Sequence, residues 1–260
     1  MSQPAAAKDR ATPLLQAVGV SKRFGHVEAL IGVDFQLFPN EVVGLVGDNG
    51  AGKSTLIKVL CGVHRPDEGT VFVGGREVRF HSPRDALKEG IAVVYQDLAL
   101  VNSRDLAHNV FLGREPRRGL TVDRRRMQRE AREVLDSLRI QIPSVRSLVG
   151  VLSGGQRQAV AIARAVHQGG RLMIMDEPTA ALGVQEQRKV LAVIQELHAR
   201  GSAVIVVSHN LEHVFSIADR IVVLRGGRVA GSRLRRETTA QEIVSLIVGV
   251  PHLVPSEGGS

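Results

Sequence analysis

The stretch Gly47-Asp48-Asn49-Gly50-Ala51-Gly52-Lys53-Ser54 decides how this chain is read. It fits G-x-x-x-x-G-K-[ST], a pattern whose glycines let the backbone turn so that successive N–H groups point at one anion. The apolar run Val42-Val43-Gly44-Leu45-Val46 leads into it and reads as a buried strand. Leu56, Ile57, Val59 and Leu60 lead out at helical spacing. A strand, a loop and a helix start together make a phosphate cradle, with the positive end of the helix dipole behind it. Residues 47–52 form that cradle. Lys53 is expected to reach the β- and γ-phosphates of a nucleotide, and the Ser54 hydroxyl to ligate Mg²⁺.

Working outward, the chain has 260 residues and 43% apolar content, enough for a packed core in one or two domains. Lys plus Arg outnumber Asp plus Glu by 34 to 26, giving a net charge of +8. The excess is rich in arginine and clusters at residues 114–132 and 225–236. Such clusters are either solvated faces or a surface for anionic membrane. One tyrosine, no tryptophan and no aromatic-interleaved basic patch argue against a stacking nucleic-acid surface, so no nucleic-acid partner is expected. A single cysteine, Cys61, excludes an internal disulfide framework and suits a reducing compartment. Residues 1–12 carry no apolar signal-peptide core and read as disordered, and no run approaches 18 apolar residues. A membrane role therefore requires a partner.

Residues 14–20 read as a strand, residues 21–26 as a turn region holding Phe24, and residues 33–38 as a half-buried strand. Pro39-Asn40 is expected to turn that strand into the one before the phosphate loop, as a hairpin. A second hairpin is expected across Gly74-Gly75. Residues 97–151 change character to helical and charged, with Asp123 as an N-cap, and read as a small helical subdomain inserted in the core. Buried strands follow at 171–175 and 203–207, helices at 156–167, 184–199, 211–217 and 239–248, and a hairpin across Gly226-Gly227. The tail from residue 251 reads as loose. Strands alternating with helices imply an α/β fold with a parallel sheet. Ligands in such sheets bind beyond the carboxyl ends of the strands, where Gly47, Gln96, Asp176 and His209 all fall.

The run at 171–175 ends in Asp176-Glu177. Nucleotide hydrolysis needs a carboxylate near Mg²⁺, assigned to Asp176, and a second one to position or polarise the attacking water, assigned to Glu177. Leu152-Ser153-Gly154-Gly155-Gln156 precedes a helix and offers another anion-binding helix start.

In their order and spacing, these residues resemble the ATP-binding subunits of ABC transporters, over residues 14–250. That resemblance implies a phosphate-loop ATPase core with an antiparallel β subdomain and an inserted helical subdomain at 97–151, within one ATP-binding domain at 13–250. It implies ATP and Mg²⁺ as ligands, and two such domains packed head to tail. Ser153, Gly154, Gly155 and Gln156 would then close over the γ-phosphate held by the partner. With one phosphate loop, the chain is expected to act as a homodimer or beside a similar subunit. Phe24 would stack on adenine, or else pack in the core. Thr55 would assist at the α-phosphate. Gln96 would sense Mg²⁺ or water and relay closure to the membrane subunit, and His209 would contact the γ-phosphate. Gly183 stands where the family usually has aspartate.

A narrower resemblance lies in Ser82-Pro83-Arg84-Asp85-Ala86, Val94-Tyr95-Gln96-Asp97-Leu98-Ala99-Leu100 and Asn109-Val110-Phe111-Leu112-Gly113-Arg114-Glu115. It points to bacterial monosaccharide importers of the ribose, xylose and fructose type, in a single-domain form, with fructose as one candidate. The implied partners are transmembrane permease subunits and a periplasmic sugar-binding protein. The implied location is peripheral, on the cytoplasmic face of the inner membrane. Rival readings are another importer or an exporter, a soluble ABC ATPase acting on nucleic acid, and a nucleotide-gated interaction module.

Overall fold

The computed structural model describes residues 12–250. Expectations for residues 1–11 and 251–260 lie outside that range. In chain order the elements are β1 (Leu15–Phe24), β2 (Val27–Leu37), β3 (Val42–Val46), α1 (Lys53–Leu60), β4 (Glu68–Val73), β5 (Arg76–Val78), α2 (Pro83–Lys88) and β6 (Ile91–Val94). Next come α3 (Leu106–Val110), β7 (Arg117–Arg118), β8 (Thr121–Val122), α4 (Arg124–Ser137), α5 (Gly154–His167) and β9 (Leu172–Asp176). The chain continues with α6 (Val184–Ala199), β10 (Ala203–Val207), α7 (Leu211–Ile217), β11 (Arg220–Arg225), β12 (Arg228–Leu234) and α8 (Ala240–Val248).

A six-stranded sheet, ordered β12-β11-β3-β10-β9-β6, forms the centre. Its strands run parallel except β12, which pairs antiparallel with β11. Strands β3 and β10 are buried at every position, which is why they read as unbroken apolar runs. Successive residues nevertheless serve different layers. Val204 and Val206 face the core shared with α3 to α8, whereas Ile205 and Val207 face the core shared with α1 and the second sheet. That second sheet is antiparallel and ordered β2-β1-β4-β5. The mixed α/β architecture with an antiparallel β unit is as expected.

Three local expectations are corrected. β2 and β3 do not form a hairpin, because they belong to different sheets. After Asn40, whose φ is 51°, the chain leaves the antiparallel sheet and enters between β10 and β11. The polar run 21–24 is strand rather than turn, and only Gly25 and His26 make the bend. Its polarity is satisfied across the sheet: Lys22 pairs with Asp67 at 2.8 Å, and the Arg23 N–H donates to Asp67 Oδ2. Within 97–151 a small hairpin, β7–β8, interrupts the helices. Two-residue strands carry too little alternation to be read, though Gly119, at φ 63°, supplies the turn. The hairpin across Gly74-Gly75 and the one across Gly226-Gly227 form as expected.

Among the described residues, no helix is long and apolar enough to cross a membrane.

Candidate functional site

The loop after β3 is shaped by sterics. A side chain at Gly47 would run into the Leu224 carbonyl, and one at Gly52, at φ 102°, would meet the Ala29 carbonyl at 2.6 Å. No side chain caps α1, and no acid occupies its first turn, so its leading N–H groups face outward into the loop. The Lys53 ammonium lies over the same loop, donating to the carbonyls of Gly47 at 2.8 Å and Asp48 at 2.9 Å. Ser54 and Thr55 follow on the first turn of α1.

The sheet order then decides what stands beside the loop. β10 is the neighbour of β3, β9 the next strand, and β6 the one after. His209 therefore lies beyond β10, Asp176 and Glu177 end β9, and Gln96 follows β6, all on the loop's side of the sheet. Asp176 is half-buried. Burial first, and then the neighbouring Glu177 charge, push its carboxyl above the usual range, while Lys53 and Lys58 pull the other way. Glu177 sits at φ 50°, left-handed backbone that costs a non-glycine residue about 1–3 kcal/mol. That turn swings its carboxylate back over the end of β10. Oε1 accepts from the His209 backbone N–H at 3.1 Å, and the His209 Nδ1 lies 2.9 Å from the same oxygen. Among the described residues, Oε2 has the Ser208 hydroxyl as its one hydrogen-bond donor, at 3.5 Å. The His209 side chain is 73% exposed, so its far ring edge faces solvent.

Ser153 caps α5. Its Oγ accepts from the Gln156 N–H, and Gln156 Oε1 accepts from the Ser153 N–H, a complete capping box. Side chains at Gly154 and Gly155 would collide with Leu182 and Glu186, so the two glycines let the start of α5 lie against α6. Gly154 shares a cleft of about 330 Å³ with Gln96 and Glu177, whereas Ser153, Gly155 and Gln156 open onto a different groove between α5 and α6. One chain thus gathers the phosphate loop, Asp176, Glu177 and His209 at the carboxyl end of the parallel strands, while the groove that Ser153 opens onto is lined by no residue of the loop. Phe24 lies at the end of β1, half exposed, its ring edge-on to His64 at 5.1 Å.

Several neighbours were not singled out from the sequence. Ser208 is 1% exposed and bonds both Glu177 and the Asn210 N–H, and its place before His209 at a strand end was the available signal. Glu186 is held below the ordinary carboxylate range, chiefly by the Ser153 hydroxyl. Tyr95 bonds Cys61 at 3.5 Å, and no local pattern announces a contact between residues so far apart.

A family model described as ABC transporter matches residues 30–180. The chain belongs to the ABC transporter family. Among curated relatives of this ABC family member is a xylose/arabinose import ATP-binding protein of Sulfolobus acidocaldarius, 45% identical over 90% of this chain and 93% of the relative. A fructose import ATP-binding protein of Rhizobium meliloti is 44% identical over 91% and 94%. A ribose import ATP-binding protein of Rubrobacter xylanophilus is 46% identical over 91% of this chain but 47% of its own length, so the chain spans about half of that relative. Among solved structures, the ADP conformation of an ATP-binding cassette of an ABC transporter superposes with a TM-score of 0.81 at 25% identity, covering 92% of this chain and 100% of that one. A dimeric cassette bound to ADP and Pi in a post-hydrolysis state gives 0.73 at 25% identity, covering 86% and 100%.

Proposed function

We propose that this chain is the ATP-hydrolysing subunit of a monosaccharide importer, energising a separate membrane permease. The observation that carries the chemistry is the strained Glu177, whose carboxylate is oriented by His209 beside the phosphate loop. The cargo class rests on relatives whose names specify xylose/arabinose, fructose and ribose import. Fructose is one of several candidates.

Residues 47–52 supply backbone N–H groups to the phosphates of ATP, Lys53 supplies charge to the β- and γ-phosphates, and Thr55 assists at the α-phosphate. Phe24 offers its exposed ring to adenine. Among the described residues, no three His, Cys, Asp or Glu side chains cluster as a protein-only metal site. That fits Mg²⁺, which keeps water and phosphate ligands and takes one or two protein groups. Ser54, Asp176 and Gln96 would hold it, and when bound it neutralises charge on the β- and γ-oxygens. His209 saturates one oxygen of Glu177. The other, Oε2, is left to accept the proton of the attacking water as that water bonds to the γ-phosphorus and the bond to the bridging oxygen breaks.

Ser153, Gly154, Gly155 and Gln156 act on the nucleotide of a second copy or a paired subunit, which accounts for Ser153, Gly155 and Gln156 opening onto a groove apart from Gln96 and Glu177. The dimeric cassette relative supports that pairing. The remaining partners are transmembrane permease subunits and a periplasmic sugar-binding protein, with the chain peripheral on the cytoplasmic face of the inner membrane.

The experiment is Glu177→Gln. We expect retained ATP binding, turnover lowered about 10²–10⁴-fold, and accumulation of an ATP-bound dimer in size-exclusion chromatography. Wild-type turnover in that variant would remove Glu177 from its role. Uptake of a labelled monosaccharide panel in cells lacking the chain, rescued by wild type but not by Lys53→Ala, identifies the sugar.

A further inference from the structure

The arginine cluster that opens α4 has no part in the site described above. Residues 114–126 carry six arginines and two acids, a net charge of +4. Neither acid forms an ion pair with Arg117, Arg118, Arg124 or Arg125: Glu115 Oε1 accepts from the Gly113 N–H, and Asp123 Oδ1 caps α4 through the Arg126 N–H, its charge acting on the Arg126 guanidinium. Arg126 pairs with Glu130, and Arg114 donates to the Gln168 carbonyl at 3.1 Å. Arg117, Arg118, Arg124 and Arg125 are exposed, and none forms an ion pair with another described residue.

Between the two arginine pairs the hairpin turns at Gly119 and Leu120. Leu120 is 101% exposed, as open as a free side chain, and Val122, opposite Arg117 in the register, is 41% exposed. The hairpin has a firm base. The Asp123 N–H donates to the Pro116 carbonyl at 2.8 Å, and Met127 on the first turns of α4 is 1% exposed. Arg114 fixes the segment to the C-terminal end of α5, about 21 Å of helix away from Ser153. The hairpin therefore lies clear of the end of α5 that the pairing of two cassettes would use.

An apolar tip flanked by unpaired guanidiniums matches one surface in particular: an anionic leaflet, whose phosphates take the arginines while the tip enters the boundary of the acyl chains. We propose that the β7–β8 hairpin and the first turn of α4 form a lipid-contacting foot that presses this subunit against anionic membrane. The foot goes beyond the proposed function, and it adds a second attachment that does not run through a permease.

The test is co-sedimentation of the purified full chain with vesicles of pure phosphatidylcholine, or with about 30% phosphatidylglycerol added. The chain should partition onto the anionic vesicles only, and about 0.5 M salt should release it by shortening the screening length. At about fivefold per arginine, Arg117→Gln/Arg118→Gln should weaken partition about 25-fold. Arg124→Gln/Arg125→Gln, outside the hairpin, should weaken it similarly. Leu120→Ser should cost about tenfold with no change in charge. ATP turnover in solution should stay at wild-type level in all three, so a failed ATPase reading is scored separately. Equal partition of wild type onto both vesicle types, or unchanged partition of the variants, overturns the foot. So does a variant that keeps its vesicle affinity and loses only the permease, because the hairpin's partner is then a protein.

Discussion

Arg220 offers the sharpest test of how the two sheets are joined. Its guanidinium grips Glu41 through two bonds, at 2.7 and 2.9 Å, and also donates to the Gln36 carbonyl at 2.8 Å and the Ser232 hydroxyl at 3.2 Å. Both charged side chains are nearly enclosed, at 11% and 13% exposure. Gln36 lies in β2 of the antiparallel sheet, Arg220 in β11 of the parallel one, and Glu41 in the crossing between them, one residue before β3. Arg220→Met keeps much of the side-chain volume but leaves the Glu41 carboxylate enclosed, with the Phe38 N–H at 2.8 Å as its remaining donor. Breaking a buried pair from one side costs about 3–5 kcal/mol, because the surviving charge has lost both water and partner. At about 2–4 °C per kcal/mol for a chain near this size, the midpoint should fall by roughly 6–20 °C. Removing both charges with Arg220→Met/Glu41→Met leaves no lone ion, so the double variant should lose only about 1–2 kcal/mol, chiefly through the bond from Arg220 to the Gln36 carbonyl. The assay is thermal unfolding for the midpoint and urea unfolding for the free energies of wild type, both single variants and the double, read as a cycle. A loss below about 1 kcal/mol for Arg220→Met, or additive single effects, would show the pair to be a solvated surface contact.

Three further outcomes follow from other sites. Gly47→Ala should lower stability by about 2–4 kcal/mol and abolish ATP binding, since its side chain would meet the Leu224 backbone, and calorimetry and a binding titration check both. Asp176→Asn should be more stable than wild type at pH 7: the folded carboxyl has a raised pKa, so the wild-type stability falls as pH rises from about 3.8 through the raised value, and the gap should close near pH 4. Gly183→Ser should stabilise by about 0.5–1 kcal/mol in thermal unfolding, because this N-cap of α6 has φ −68°, no side-chain cap and open space around it.

Much of the site was legible because its parts are local. A glycine loop between a strand and a helix, two acids ending a strand, and a serine with glycines before a helix all announce themselves within a few residues, and each forms where expected. The same holds for β10, α6 and α7, whose bounds follow from unbroken apolar runs and helical spacing. Illegible were features whose cause lies far along the chain. The polar extension of β1 exists because Asp67, some forty residues on, satisfies Lys22 and Arg23.

The groups available to a nucleotide can be named from residue types and their local spacing, because backbone-shaping glycines and charged groups at strand ends act at short range. Which of those groups meet is a matter of long-range packing. The order β3-β10-β9-β6 sets Glu177 against His209, which lies 32 positions away, and the left-handed backbone at Glu177 aims the carboxylate. Residues 33–46 looked like a hairpin because Pro39-Asn40 is a sound turn signal. The chain changes sheets there instead, since β3 is apolar on both faces and gains more from lying buried between β10 and β11 than from pairing with β2 at a half-solvated edge.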